Sequence, residues 1–433
     1  LHRLLLAQDI KDTEPDAAYG LCMEELQDNP YQWAAWSLAG SIACKADRLP
    51  TALAFFEMTA SLQPDRADSW NNLGTVWHAL KHPAKARECF RRALSIQEHP
   101  LYLCNIGATY SDDGDHIEAL KWIRKAQRLD PHLPAIPAAV AFAELATGDW
   151  ANGWKHWDQL LGVNKHRKKL SFGGRDWAGE KVGRLIIYGE QGLGDEIMFA
   201  SCIEDCRPLA DQVVIECDPR LEGLYRRSFP WAEVHGTRRQ EREWDISCDA
   251  QVACGSLPGL FRPDPKSCPK KPYLTADPEK RLMWRALFDS WKKPVIGLCW
   301  SGGKWSSQSK KRDIGLEAFR PYIESHDAVY VSLQYKDPRE EIEETGLPVR
   351  HFHLDPEDYD DTAALVAELD GMVGIHTTAH HLRGAMGLPS TILVPHAPLW
   401  NYAYGDRLPW YAEQVYHRQK KDEKWIDCIR RLE

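Results

Sequence analysis

RLIIYGEQGLGDEIMFA, residues 184–200, is the stretch on which the reading of the fold turns. Leu185, Ile186, Ile187 and Tyr188 form a short apolar, β-rich run, and Gly189, Gly192 and Gly194 follow it. Asp195 comes next and opens a run with the pattern of a helix. Strand, glycine-rich turn and helix in that order make a nucleotide or phosphate site in an α/β domain. The glycines let backbone approach a ligand, and the helix start offers unpaired N–H groups. A carboxylate at that place repels an anion. It suits a general base facing a neutral hydroxyl; the alternative is that Asp195 caps the helix.

Downstream, the alternation continues. A strand at 185–188 leads into a helix at 196–209, and a strand at 213–217 into a helix at 219–227. Shorter pieces fall at 244–246 and 251–260. RPDPKSCPKKP, residues 262–272, is proline-rich and basic and reads as an interdomain connection. After a helix at 279–291, a second set has strands at 295–300, 328–334, 349–353, 372–375 and 391–394. Its helices fall at 316–324, 362–369 and 378–386. Strands alternating with helices give parallel sheets with crossover helices. Two Rossmann-like halves imply a cleft between them, where ligands preferentially sit.

Upstream, three glycines recur: Gly40, Gly74 and Gly107, spaced 34 and 33 residues apart. WNNLGTVW around Gly74 is followed by Ala86, Phe90 and Ala93. NIGATY around Gly107 is followed by Ala119, Ile123, Ala126 and Pro131, and WSLAG around Gly40 by Ala52, Phe56 and Pro64. This pattern resembles the tetratricopeptide repeat, a pair of antiparallel helices per unit. Half a repeat precedes, at 18–30, and a degenerate one follows, at 134–161. One unit cannot bury its own apolar face, so the units stack into a solenoid. Its concave side either holds a protein or peptide partner, or the solenoid is a scaffold that stabilises or dimerises the next domain. Asn71, Asn72 and Asn105 fall on first helices; they bind the backbone of an extended peptide or are helix-surface residues. The basic, then glycine-rich segment 161–176 reads as a boundary loop. The expected domains are 1–163, 164–275 and 276–433.

Composition narrows the class. The 433 residues suffice for two or three domains, and 43% apolar with 27% charged residues fits a globular protein. A net charge of −9 argues against nonspecific nucleic-acid binding. No run approaches the ~18–20 apolar residues of a membrane span, and the opening LHRLLLAQDIKD is too short an apolar block for a signal peptide. The chain opens on Leu1 rather than Met, which leaves room for an upstream segment. The 12 cysteines are scattered without a CxxC pair, so buried reduced thiols and a cytoplasmic location are expected, with no metal.

From Trp177 onward the chain resembles GT-B glycosyltransferases of the heptosyltransferase type, in the bacterial branch that carries tetratricopeptide repeats in front. The carrying segments are GDWANGW (148–154), WAGE (177–180), GEQGLGDEIMFA (189–200), IGLCWSGG (296–303), VSLQ (331–334), DDTAALVAELD (360–370), TTAHHLRGAMGLP (377–389) and DRLPWY (406–411). The architecture is also similar to that of protein O-GlcNAc transferase. The fold so implied is an α-helical solenoid followed by a GT-B unit, two Rossmann-like domains facing a cleft.

The resemblance implies inverting, metal-independent transfer of a sugar from a nucleotide donor to a hydroxyl acceptor; a homodimer belongs to the scaffold reading of the solenoid. It makes Asp195 the general base, with Gly192 and Gly194 bringing backbone to the cleft. A leaving diphosphate needs cations and N–H groups. Ser301, Gly302 and Lys304 stand after the 295–300 strand, and Lys311 or Arg312 matches the family's phosphate-reaching residue; the alternative is a solvated basic loop. Thr377 and Thr378 can cap a helix and donate to phosphate. Gln334 ends a strand where a nucleobase is commonly met. His381 fits the family's histidine or packs against the sheet. His376 departs from the family's usual aspartate and can donate a hydrogen bond or carry positive charge, which changes the donor or weakens catalysis. Trp400, Tyr402, Trp410 and Tyr411 stack on sugar rings or pack a closing loop; packing is favoured. Two other classes compete: a catalytically degenerate scaffold, supported by His376, and a dinucleotide-dependent oxidoreductase, which the GxxGxG spacing of GEQGLG disfavours.

Overall fold

The computed structural model describes residues 2–163, 167–238, 245–302 and 313–432. The chain forms two compact units, Leu1–Ala143 and Glu144–Glu433. The division lies inside the helix Ile136–Thr147, ahead of the expected boundary at 163. The reason is the next helix, Trp150–Asp158, which spends its tryptophans on the α/β elements. The Trp154 indole donates to the Arg262 carbonyl (3.0 Å) and the Trp157 indole to the Gly255 carbonyl (2.9 Å).

The first unit is helical. The helices Trp33–Lys45 and Leu49–Leu62, Ala67–Ala79 and Pro83–Ile96, and Pro100–Asp112 and His116–Leu129 pack pairwise, after the pair His2–Ile10 and Pro15–Asp28. Proline in the first turn starts several of them at no cost in hydrogen bonds, since that N–H has no helical partner. The repeated glycines sit where two helices of a pair touch. A Cβ on Gly74 would lie 2.7 Å from Phe90, and one on Gly107 2.6 Å from Ile123. A second contact recurs in two of the units: the Trp36 indole donates to the Pro30 carbonyl (2.7 Å) and the Trp70 indole to that of Pro64 (2.8 Å). Asn71 is buried, and its side-chain oxygen accepts from the Asn105 amide of the next pair at 2.8 Å, whereas Asn72 is half-buried.

The second unit holds two sheets, every pairing parallel. The first contains β1 (Arg175–Asp176), β2 (Val182–Tyr188), β3 (Ala210–Glu216), β4 (Glu233–His235) and β5 (Ala250–Ala253), in the order β1-β5-β2-β3-β4. The second contains β6 (Val295–Cys299), β7 (Val329–Ser332), β8 (Val349–His351), β9 (Gly371–Ile375), β10 (Ser390–Val394) and β11 (Gln414–Arg418), in the order β11-β10-β9-β6-β7-β8. That is the doubly wound order in which the chain starts mid-sheet, runs to one edge and returns to fill the other. The central strands are buried on both faces and read as near-continuous apolar runs.

Several details differ from expectation. The helix expected at 196–209 starts at Leu193 and breaks after Phe199 into short 3₁₀ and α turns. Pro208 accounts for the last of these, because it cannot donate to a preceding turn. Residues 245–246 are not a strand, and Trp244 lies outside the described residues. The edge strands β1, β4 and β11 were not foreseen; each is short or polar and lacks the apolar run that marks a buried strand. Among the described residues no helix is long and apolar enough to cross a membrane, and no three His, Cys, Asp or Glu side chains are arranged to hold a metal ion.

Candidate functional site

In each sheet the chain reverses its winding direction between two neighbouring strands, and a crevice opens past their carboxyl ends. In the first sheet these strands are β2 and β5; in the second they are β6 and β9. The loop 189–192 leaves β2, the turn 300–302 leaves β6, and His376 with Thr377 leaves β9. Most of the expected site residues therefore stand at the two crevices.

The two crevices meet. A Cβ on Gly194 would lie 3.3 Å from the Thr378 hydroxyl and 3.3 Å from the His381 ring. Gly194 thus lets the helix Leu193–Phe199 pack against the helix Thr378–Ala385. The halves are also tied by Arg227, whose guanidinium donates to both oxygens of Asp360 (2.9 Å each) and to Asp277 (3.1 Å).

Asp195 lies in the first turn of the Leu193–Phe199 helix, with Gly192 as the N-cap residue. The carboxylate is therefore not the cap, although the positive end of the helix dipole favours it there. Burial first, then Tyr273 and Cys268, and last Asp195, push the Tyr411 hydroxyl well above the ordinary tyrosine range.

The glycine-rich loop is held from below by buried charges that the sequence did not reveal. Glu190 is buried and accepts from Arg167 Nε (3.1 Å) and Gln191 Nε2 (3.0 Å). Arg167 also donates to the Trp157 carbonyl (2.7 Å). On the other side Arg238 pairs with Glu196 (2.6 Å) and donates to Asp218 (2.9 Å) and to the Gln191 carbonyl (2.9 Å). Burial pushes Glu196 up to about 7, with Arg238 pulling the other way. Asp218 is pushed up by burial too, yet hydrogen bonds from Arg220 and Arg238 outweigh this and leave it well below the usual range. Only the Gly189 side of this cluster left a trace in the sequence: a Cβ there would lie 2.5 Å from Glu196 Oε2 and 2.9 Å from Arg238 Nη1.

In the second crevice, Gln334 and Ser301 come together. Oriented to satisfy its neighbours, the Gln334 amide oxygen accepts from Trp300 N (2.6 Å) and Ser301 N (2.9 Å), and its nitrogen donates to the Ser301 carbonyl and hydroxyl (3.0 Å each). Gln334 therefore holds the turn after β6. A Cβ on Gly302 would lie 3.3 Å from Ile375 and 3.4 Å from Thr377, so that turn lies against the end of β9. Thr377 is the N-cap residue of the Thr378–Ala385 helix, and its hydroxyl donates to Cys299 Sγ (3.4 Å) rather than to the helix start. Lys304, Lys311 and Arg312 lie outside the described residues.

His376 is 4% exposed and its ring rests against that of Tyr402, centroids 4.3 Å apart. His381 uses both ring nitrogens on tyrosines: Nε2 with the Tyr402 hydroxyl (2.8 Å) and Nδ1 with that of Tyr411 (3.1 Å). Burial pulls His381 down to about 4 and His380 to about 3, so both are neutral near pH 7. Tyr273 donates to the Ile197 carbonyl (2.8 Å) and lies 3.5 Å from the Tyr411 hydroxyl. Tyr402, Trp410 and Tyr411 are all buried, as loop-packing residues would be.

The molecule is thus a repeat protein joined to a two-sheet parallel α/β unit, and comparison with known proteins agrees for the repeats. Residues 67–99 and 101–133 each match the tetratricopeptide repeat. The chain is 28% identical over 410 residues to Protein FlbA of Caulobacter vibrioides, covering 86% of this chain and 68% of that protein. It is 28% identical over 121 residues to the tetratricopeptide repeat-containing protein trd-1 of Caenorhabditis elegans, covering 28% of this chain and 16% of that one. Among solved structures, a thermophilic TPR protein of Thermus thermophilus aligns at 18% identity and TM-score 0.34, over 38% of this chain and 90% of that one. PilW, a type IV pilus biogenesis factor, aligns at 20% identity and TM-score 0.34, over 36% of this chain and 75% of that one.

Proposed function

We propose that the protein is an inverting, metal-independent glycosyltransferase of GT-B type, acting in the cytoplasm on a protein or peptide acceptor held by the repeats. One observation carries this reading: the helices that begin at the two doubly wound crevices pack on each other, with a carboxylate, Asp195, in one and the helix start Thr377–Thr378 on the other. In this scheme the nucleotide sugar lies on the second sheet, its diphosphate near Thr377, Thr378 and the 301–302 turn. An acceptor hydroxyl loses its proton to Asp195 as its oxygen bonds the anomeric carbon. The bond from that carbon to the donor phosphate breaks, the electron pair leaves on the nucleotide, and the centre inverts. A carboxylate at this place is competent for a proton taken late in that step.

The test is titration calorimetry with a panel of nucleotides and nucleotide sugars, followed by intact-mass measurement of acceptor proteins with any donor that binds. Binding of one nucleotide class and a mass shift of one sugar are expected. No binding at millimolar ligand sinks the reading.

A second reading, a transferase-like scaffold that binds proteins through its repeats, is favoured by His376. A buried imidazole packed on Tyr402 stands where the resemblance calls for an acid. Under this reading the repeats still capture a partner and the panel gives no heat.

A further inference from the structure

We propose that Arg238 is a positioning residue that fixes the glycine-rich loop and, through it, Asp195. The role assigned to Asp195 rests on the transfer reading above; the anchoring of the loop does not.

Three contacts define the anchor. Arg238 Nη1 donates to the Gln191 carbonyl, inside the loop, at 2.9 Å. The same nitrogen lies 2.6 Å from Oε2 of Glu196, the residue directly after Asp195. Its Nη2 donates at 2.9 Å to Asp218, just beyond the end of β3. Glu196 completes the triangle by accepting from the Asp218 N–H at 3.0 Å. A single planar guanidinium thus grips the chain on both sides of Asp195 and ties it to the neighbouring strand. A forked cation with fixed donor directions does this where a lysine ammonium cannot.

The geometry of Gly189 supports the same conclusion independently. Its missing side chain is the space into which Glu196 and Arg238 fit, at 2.5 and 2.9 Å from where a Cβ would lie. The first glycine of the loop therefore serves the anchor and not a ligand. Neither Glu196 nor Asp218 is accessible, at 2% exposure each, so the cluster lies beneath the crevice and acts on it through backbone.

The test compares Arg238→Lys, which keeps the charge and loses the fork, with Arg238→Gln and with Gly189→Ala, which crowds the anchor from the other side. Hydrogen exchange is followed in the full-length protein on a peptide covering 189–200 and on one covering 371–386 in the second sheet. The expected result is exchange about tenfold faster in the first peptide only, as for a local opening. With a donor in hand, kcat falls about tenfold while donor KM stays within about twofold, the signature of an interaction realised in the transition state. Unchanged exchange at 189–200 in Arg238→Lys overturns the proposal, as does an equal rise in both peptides. If Arg238→Gln unfolds, Arg238→Lys and Gly189→Ala decide. Faster loop exchange in a protein that transfers no sugar upholds the anchor and removes the transfer reading.

Discussion

The two crevices are built on the same plan and held together by opposite chemistry. Beneath the first lie charges: Glu190 with Arg167, and Glu196 and Asp218 with Arg238. Beneath the second lie rings: His376 on Tyr402, and the neutral His381 between two tyrosine hydroxyls. A charged anchor holds a loop by directional bonds that break if one partner is lost, because an unpaired buried charge is costly. A ring cluster holds by packing and by hydrogen bonds that neutral groups exchange at small cost. The first crevice therefore holds its loop by charge pairs, and the second by packed rings and hydrogen bonds between neutral groups.

The largest test of this contrast is Asp195→Asn. If the first crevice carries the acid, initial transfer rates fall about a thousandfold, within the range for removing a general base. Donor affinity by calorimetry stays within about twofold, since the proposed scheme puts the donor on the other side. A loss of binding with the rate would erase the division of labour.

Next come the glycines. A Cβ on Gly374 would lie 2.2 Å from the Cys299 carbonyl oxygen, a backbone atom that cannot move aside. Gly374→Ala should cost about 3 kcal/mol in denaturant unfolding, at the upper end for an overpacked site. In Gly192→Ala the nearest atom is Asp195 Oδ2 at 3.3 Å, on a side chain that can turn. That change should cost about 1 kcal/mol, as loss of a favourable N-cap residue does, while displacing the acid. Equal costs in the two variants would mean the loops are not differently built.

The pH responses should oppose each other. Glu196 and Glu216, pushed by burial up to about 7, bind more protons folded than unfolded, so the first sheet loses stability as pH rises from about 4.5 to 7. His381 and His380, pulled by burial down to about 4 and about 3, bind fewer protons folded, so the second sheet loses stability as pH falls below about 6.5. Each group contributes at most about 1.4 kcal/mol per pH unit. Between pH 6.5 and 5, protection factors, which divide out the intrinsic pH dependence of amide exchange, should rise in peptides of the first sheet and fall in those of the second; parallel trends would refute the contrast. The last test is Tyr402→Phe, which keeps the ring against His376 and deletes one hydrogen bond to His381. It should lower stability by about 1 kcal/mol and leave Asp195-dependent chemistry in place, read as unchanged kcat.

These differences explain what the residues disclosed and what they hid. The repeats were legible because Gly74 and Phe90, or Gly107 and Ile123, recur at a fixed spacing that packing imposes. The parallel strands were legible because burial on both faces demands runs such as Leu185–Ile187. The crevices followed from strand order, as did Thr377 and Ser301 at strand ends. The anchors beneath them did not. Arg238 and Asp218 meet Glu196 from distant parts of the chain, and an arginine inside the charged run TRRQERE, residues 237–243, looks like any surface residue. His381 matched a pattern in sequence, but only the fold shows its nitrogens committed to Tyr402 and Tyr411. Edge strands such as β11 stayed hidden because half-exposed strands carry mixed residues.

The helix Trp150–Asp158 also supplies an optical instrument. Trp150 lies 5.3 Å from Trp410, and Trp154 and Trp157 lie 5.7 and 5.4 Å from Trp400, while Phe199 of the other half touches the same rings. Indoles this close share their electronic excitation, and coupled transitions yield a signed pair of circular-dichroism bands that fades when the rings part. The unlabelled protein therefore reports on the spacing of its own halves, and a ligand that draws them together or apart announces itself as a change in that band pair.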